Sequence, residues 1–386
     1  MFKNVYFFVL FLFFLVFCFS YCQNKKIKNE EKKSINQKID SVKDKWSAVK
    51  KHTIDMILSE IARRYRFNGC LFLEENGKVL LNRCYGTTDR YKRDLDNILT
   101  IQKAFHIGSV AQIFTAASID KLIEKKKLSL EDSLSKYFKK TKYKNLKIKH
   151  LLYHTSGLPD YQTYFLNNSL ELNTYATNRN VIDWVIGSSP RLRFEPDTDF
   201  EYSPTNYVLL ARIVELVSQQ LWIDFLKNNL CKDLSIKQLY LPFLSEKKPD
   251  FCVDAFYIDR KKNFDDHFLQ YIYGAEGLWA SLEDIHHFEK IYQNNQFFGE
   301  EENDNFNPLV MNNGKIIPFT KGFHLKLDEK LLFQTGKWLG FQAGIWWWKQ
   351  EKTKIILLTN DNSTIFMDVK LMIENILKGK RYKIPY

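Results

Sequence analysis

The segments of this chain that read as β-strand lie at the two ends of its body, and those that read as helix lie between them. A single sheet must therefore bring the ends together. Near the start, residues 69–74 and 78–84 flank Asn76-Gly77, a pair that favours a two-residue hairpin turn. Near the end, residues 330–334, 341–349 and 353–359 are apolar runs separated by short polar turns, followed by a helix pattern with Phe366, Val369, Met372, Ile373 and Ile376 on one face. Between these, residues 109–124 predict a long helix, and Ser129-Leu130-Glu131-Asp132 has the spacing of a capping box opening a short one. Thr53 is placed as the cap of a helix whose apolar face is Ile54, Ile57, Leu58 and Ile61. The pattern predicts an α+β fold: an antiparallel sheet of first and last strands, flanked by helices, with a mostly helical region inserted.

Ahead of this body, Lys3 precedes an apolar run over residues 5–19, the layout of a secretory signal. Three readings stay open: a signal cleaved after small residues, a lipoprotein signal with Cys22 as the lipidated residue, or an uncleaved anchor slightly short of the ~20 residues a spanning helix needs. All three place the rest of the chain outside the cytoplasm. Residues 23–51 carry ten Lys against four acidic residues, half of the net charge of +12. Such a segment reads as a solvated, partly helical tether, and no nucleic-acid recognition motif accompanies the charge. The expected organisation is a signal over 1–22, a charged linker over 23–52 and one domain over 53–386. A membrane would be met only through the signal or a lipid anchor.

Of the six cysteines, Cys70, Cys84, Cys231 and Cys252 lie in the body. A regular two-residue turn pairs residue 75 with 78 and hence 70 with 83, turning Cys84 to the other side of the sheet. Free thiols packed as small core residues are expected for this pair.

Three further segments carry chemistry: Phe105-His106-Ile107-Gly108-Ser109-Val110-Ala111-Gln112, then His150-Leu151-Leu152-Tyr153-His154-Thr155-Ser156-Gly157-Leu158-Pro159-Asp160-Tyr161, then Tyr202-Ser203-Pro204-Thr205-Asn206. With Gly277-Leu278-Trp279-Ala280-Ser281 and Gln334-Thr335-Gly336, they are five collinear stretches. Together they resemble the serine β-lactamase and penicillin-binding-protein family, in its class C β-lactamase and esterase branch, over roughly residues 65–375.

The resemblance implies a β-lactamase/transpeptidase-like fold and three constellations. The first is a nucleophilic Ser with a Lys three residues on, which helps take its proton. Ser109 fits the Ser, and Gln112 stands where the Lys would be. The second is Tyr-x-Asn: Tyr202 fits the Tyr, and Pro204 stands where the Asn would be, with neither side-chain donor nor backbone N–H. The third is Lys or His before Thr-Gly on a strand, here Gln334-Thr335-Gly336. Lys337 alternates to the opposite face of that strand from Gln334. Without the resemblance, Ser109 reads as an ordinary helix cap and Tyr202 as a packed aromatic. Thr335, Gly336 and Trp338, with Phe341, are candidates to line the pocket. His154 is expected to support the loop after it, and the adjacent His286 and His287 diverge on a helix and make a poor metal pair. In Trp346-Trp347-Trp348, strand alternation turns at least one Trp outward, and burial against the terminal helix is expected for the others.

No metal-ligand spacing and no cofactor motif is present in the sequence, so neither is expected. The expected function is an exported β-lactamase-related homologue, impaired in catalysis, that binds a peptide, a cell-wall fragment or a small ester or amide as a monomer. The alternative is an active serine hydrolase using Ser109 with a base the sequence does not reveal.

Overall fold

In a computed structural model, the described residues are 43–64, 67–88, 97–168, 175–243, 247–255, 267–293 and 309–385. The signal and most of the charged linker, with Cys22, lie outside them. The chain divides into two units, Met1–Thr53 and Ile54–Tyr386. In the first, residues 43–53 are helical, so Thr53 does not cap a helix start as expected. The fold below is that of the second.

Its main sheet has seven strands in the order β2-β1-β9-β8-β7-β6-β5. These are β1 (Gly69–Glu75), β2 (Lys78–Tyr85), β5 (Phe319–Thr320), β6 (Phe323–Lys326), β7 (Leu331–Trp338), β8 (Phe341–Trp348) and β9 (Thr353–Thr359). A second, two-stranded sheet pairs β3 (Ala104–His106) with β4 (Trp279–Ser281). The first hairpin pairs directly with the last strand, antiparallel, from Gly69↔Thr359 to Glu74↔Lys354. The expected α+β architecture is thus the observed one.

Helices cover both faces. The residues of α1 (54–63) and of α10 (Phe366–Leu377) pack on the outer face. There Ile54, Leu58, Leu71, Leu73, Trp346, Trp348, Ile355, Leu357, Val369 and Ile373 form one apolar cluster. On the inner face, Phe72, Trp347, Ile356 and Leu358 join a larger core. This core includes α2 (Ala111–Glu124) and α7 (Thr205–Ser218). The period of two along each strand sorts these residues cleanly.

Several expectations need correction. None of the three consecutive tryptophans faces solvent: Trp346 and Trp348 join the outer cluster and Trp347 the inner one, because both faces are covered. Residues 129–132 close a turn rather than open a helix. Asp132 Oδ2 accepts from Ser129 N–H and Ser129 Oγ accepts from Glu131 N–H, while α3 (Leu134–Tyr137) starts only after Ser133.

The expected free thiols at Cys70 and Cys84 are instead a disulfide. The hairpin keeps its 75↔78 pairing, but a bulge between Leu73 and Glu74 moves the register from Glu74↔Val79 to Leu73↔Leu81. One extra residue in β2 puts Cys84 opposite Cys70, with the Cα atoms 3.9 Å apart. Cys231 and Cys252 are free and buried.

Candidate active site

Ser109 is presented by a tight turn. After β3, Gly108 takes φ +51 and opens a 3-10 turn, Gly108–Val110, that runs into α2. The turn is pressed against β7. A Cβ on Gly108 would lie 2.7 Å from Lys337 N, and one on Gly336 would lie 2.1 Å from Ile107 O and 2.7 Å from Ser109 N. Only glycine at both positions permits this approach. Ser109 itself stays half-buried.

One helical turn on, Gln112 is fully buried in a chain of neutral hydrogen bonds. His154, buried and at φ +56, accepts on Nδ1 from Ser203 N–H at 3.1 Å, with Asn206 Nδ2 at 3.0 Å. Its proton therefore sits on Nε2, 3.3 Å from Gln112 Oε1. Gln112 Nε2 in turn donates to Tyr202 Oη at 2.5 Å. Burial, followed by the nearby His324, holds the His154 imidazole well below its usual range. Burial also pushes the Tyr202 phenol well above its own. No member of this chain carries charge near neutral pH.

Pro204 precedes α7 and contributes its carbonyl, which accepts from Tyr207 and Val208 N–H. Asn206, two residues on, is no substitute for an Asn at 204. Its side chain is taken up by His154 Nδ1 and by Ser156 Oγ, which donates to Oδ1 at 2.6 Å. Gln334 is buried, folds back so that Oε1 accepts from Thr335 N–H at 3.0 Å, and leaves Nε2 without a partner among the described residues. Gly336 contacts the Ser109 turn, Thr335 is half-buried and Lys337 is exposed.

Trp338 stacks on His106, with ring centroids 5.4 Å apart. Both line a cavity of about 380 Å³, together with Lys248, Tyr271, Trp279 and Phe341. Ser109, Thr335 and Gly336 are not in its wall. Burial lowers the His106 imidazole to about 3, so this residue is neutral, while Lys248 and Asp254 bring charged groups to the same wall. Among the described residues no group of His, Cys, Asp and Glu could hold a metal ion. His286 lies flat on Phe72, with centroids 4.0 Å apart.

One residue of this site escaped the reading of the sequence. Glu276 is buried, and its Oε1 lies 3.4 Å from Ser109 Oγ. Its other oxygen accepts from Gln162 Nε2 at 2.8 Å. Gln162 sits in the first turn of α5 (Tyr161–Asn167), whose N-cap Asp160 accepts from the Gln162 N–H. Glu276 itself rides on a turn between Gly274 (φ +93) and Gly277 (φ +81). Gly274 is wedged against Tyr207 and Ala211 of α7, and its carbonyl accepts from Thr115 Oγ1 of α2 at 2.7 Å. Burial raises the Glu276 carboxyl to about 7, helped by the charge of Asp160 and opposed by the bonds from Gln162 and Ser109. The available signal was a lone carboxylate inside the otherwise apolar stretch Gly274-Ala275-Glu276-Gly277-Leu278-Trp279-Ala280.

A family model described as Beta-lactamase matches residues 58–374, most of the chain. The chain belongs to that family. It is 26% identical over 355 residues to penicillin-binding protein 4* of Bacillus subtilis (strain 168), covering 87% of this chain and 78% of the relative. It is 26% identical to protein flp of Staphylococcus aureus (strain MW2), covering 85% and 67%. Among solved structures, it resembles an octameric penicillin-binding protein homologue from Pyrococcus abyssi, with a TM-score of 0.69, 21% identity and coverage of 85% of this chain and 77% of that one. It also resembles a D-amino acid amidase from Ochrobactrum anthropi SV3 complexed with L-phenylalanine amide, with a TM-score of 0.67, 19% identity and coverage of 85% and 97%. At these identities the solved structures speak for the fold.

Proposed function

We propose that this chain is an exported serine-hydrolase homologue that seats a peptide, cell-wall fragment or small amide or ester beside Ser109, and in which the Lys–Tyr proton route implied by the family resemblance is closed. The observation that carries the second half is the neutral chain His154–Gln112–Tyr202. An amide cannot accept a proton at neutral pH, and a phenol raised by burial does not ionise there. Loss of a general base typically lowers a rate by ~10²–10⁴. For ligand class, the reading draws on the aromatic-walled cavity and on the names of the relatives, a penicillin-binding protein and an amidase complexed with an amino-acid amide.

Export is supported by the Lys3 and apolar-run pattern and by the Cys70–Cys84 bond, which suits an oxidising compartment. Among the described residues no helix is long and apolar enough to cross a membrane.

Calorimetric titration with D- and L-phenylalanine amide and with soluble cell-wall peptides tests the ligand class. Saturable binding by wild type, weakened at least ~10-fold in Trp338→Ala, is expected for a ligand that uses an aromatic wall. No binding of any of these by the wild type would sink the reading.

A further inference from the structure

We infer that Glu276 is the general base of this site: its carboxylate takes the proton of Ser109 as Oγ attacks a ligand carbonyl. The inference rests on the reading above that Ser109 faces a carbonyl ligand, and it supplies the base that reading leaves missing. Three observations carry it. Oε1 is within hydrogen-bond reach of Ser109 Oγ, the geometric requirement for such a group. The carboxyl is aimed and not merely nearby, because Gln162 holds its second oxygen, Gly274 at positive φ packs on α7 and bonds to Thr115 of α2, and Gly277 at positive φ packs against Ile272. No other described side chain seen to contact Ser109 can accept its proton, since Tyr202 is neutral and already accepts from Gln112.

The steps balance as follows. The Ser109 Oγ–C bond forms as the carbonyl π pair moves to its oxygen, and the Oγ proton passes to Glu276 Oε1. Collapse of the tetrahedral species breaks the bond from carbon to the leaving nitrogen or oxygen, which takes the proton from Glu276 and departs. The acyl group remains on Ser109. A water then repeats the sequence: Glu276 accepts its proton, the Oγ–C bond breaks, and the proton returns to Oγ. Gln112 and His154 move no proton; they orient Tyr202.

The pH behaviour has a defined direction. The titratable groups facing Glu276 are Asp160 and Tyr161 from the start of α5 and Tyr202 from the loop before α7. Burial pushes both phenols upward, so neither ionises near neutrality. The reactive form is the Glu276 carboxylate, so acylation rises through pH of about 7 and then levels.

The test is the rate of acylation of full-length protein by p-nitrophenyl butyrate, read by intact mass from about pH 5 to about pH 9, with Ser109→Ala as blank and phenylalanine amide binding measured alongside. A Ser109 adduct is expected, with a rate that levels above about pH 7. Glu276→Gln, which keeps the shape and the Gln162 contact, is expected to slow acylation by at least ~10² and to abolish the inflection. Equal rates in Glu276→Gln and wild type would overturn the assignment. So would a wild-type rate that keeps climbing without a plateau, a profile that decides the matter even if the variant does not fold. Amide binding with no adduct at any pH would remove the base and leave the ligand class standing. An adduct without amide binding would keep the base and remove the ligand class.

Discussion

The two faces of the main sheet are built on opposite principles. The outer face, under α10 and the 54–63 helix, is almost wholly aliphatic and aromatic. Its main polar insertion is Lys370, which pairs with Glu374 on the same helix and lies over the rings of Trp346 and Trp348. The inner side packs a larger apolar core, yet embeds Gln112, His154, Asn206 and Glu276 within it. Most of these buried polar groups are hydrogen-bonded to one another; burial holds the His154 imidazole below its usual range and raises the Glu276 carboxyl to about 7. The outer face therefore stabilises the fold, and the inner side gives up some of that stability to keep a carboxyl beside a hydroxyl.

That contrast can be broken most forcefully on the outer face. Ile373 is fully buried under the sheet, and Ile373→Ala should cost about 3–4 kcal/mol of unfolding free energy while leaving Ser109 acylation per folded molecule unchanged. Denaturant titration and intact-mass kinetics on the same sample would show it. A change in acylation alone would mean the two faces are not separable.

Glu276→Gln should do the reverse, weakening chemistry and strengthening the fold above neutrality. Burial raises the folded carboxyl to about 7, against 4.5 for an ordinary Glu, so between these pH values the folded state binds the proton more tightly than the unfolded chain. Stability from this group is present at low pH and is lost as pH rises toward about 7. At about pH 8 the variant should be more stable than wild type by up to about 3 kcal/mol, and the two should converge below about pH 4.5. A variant less stable than wild type at about pH 8 would mean that the carboxylate is better paired than its surroundings indicate.

The smallest effect concerns the edge of the sheet. Cys84→Ser opens a bond that closes a short loop, and should cost about 2–3 kcal/mol without altering acylation. Melting under oxidising and reducing conditions, which should separate for wild type and coincide for the variant, checks it.

The outer face was legible in the sequence because burial on one side of a regular element leaves a period. Phe366, Val369, Met372, Ile373 and Ile376 announce α10 in this way, and Asn76-Gly77 announces the first hairpin. What was not legible depends on single-residue departures from regularity. The bulge at Leu73/Glu74 has no compositional mark, yet it decides whether Cys70 and Cys84 meet. Ser129 and Asp132 bond to backbone in the same local manner whether a helix or a turn follows, and here a turn follows. In the site, Ser109, Gln112, Tyr202, Pro204 and Gln334 could be placed by family resemblance. Glu276 lies 167 positions from Ser109, and tertiary packing, with Gly274 seated on α7 and bonded to Thr115 of α2, brings them together. The tryptophan triplet was misjudged because alternation states which side a residue faces, and not whether that side is covered.

The contact between Gly108 and Gly336 makes the aim of Ser109 a property of the sheet's far strands. With a Cβ at 336 falling 2.7 Å from Ser109 N, there is no clearance in which the turn could settle independently of β7. The two backbones act as a bearing with no play: when β7 shifts against β8, the serine shifts with it. A misplacement of about 1 Å can cost ~10² in rate, so the allowable error in this hairpin's register is set by the chemistry next door rather than by the sheet's own hydrogen bonds. The C-terminal strands are in this sense the fixture that holds the tool.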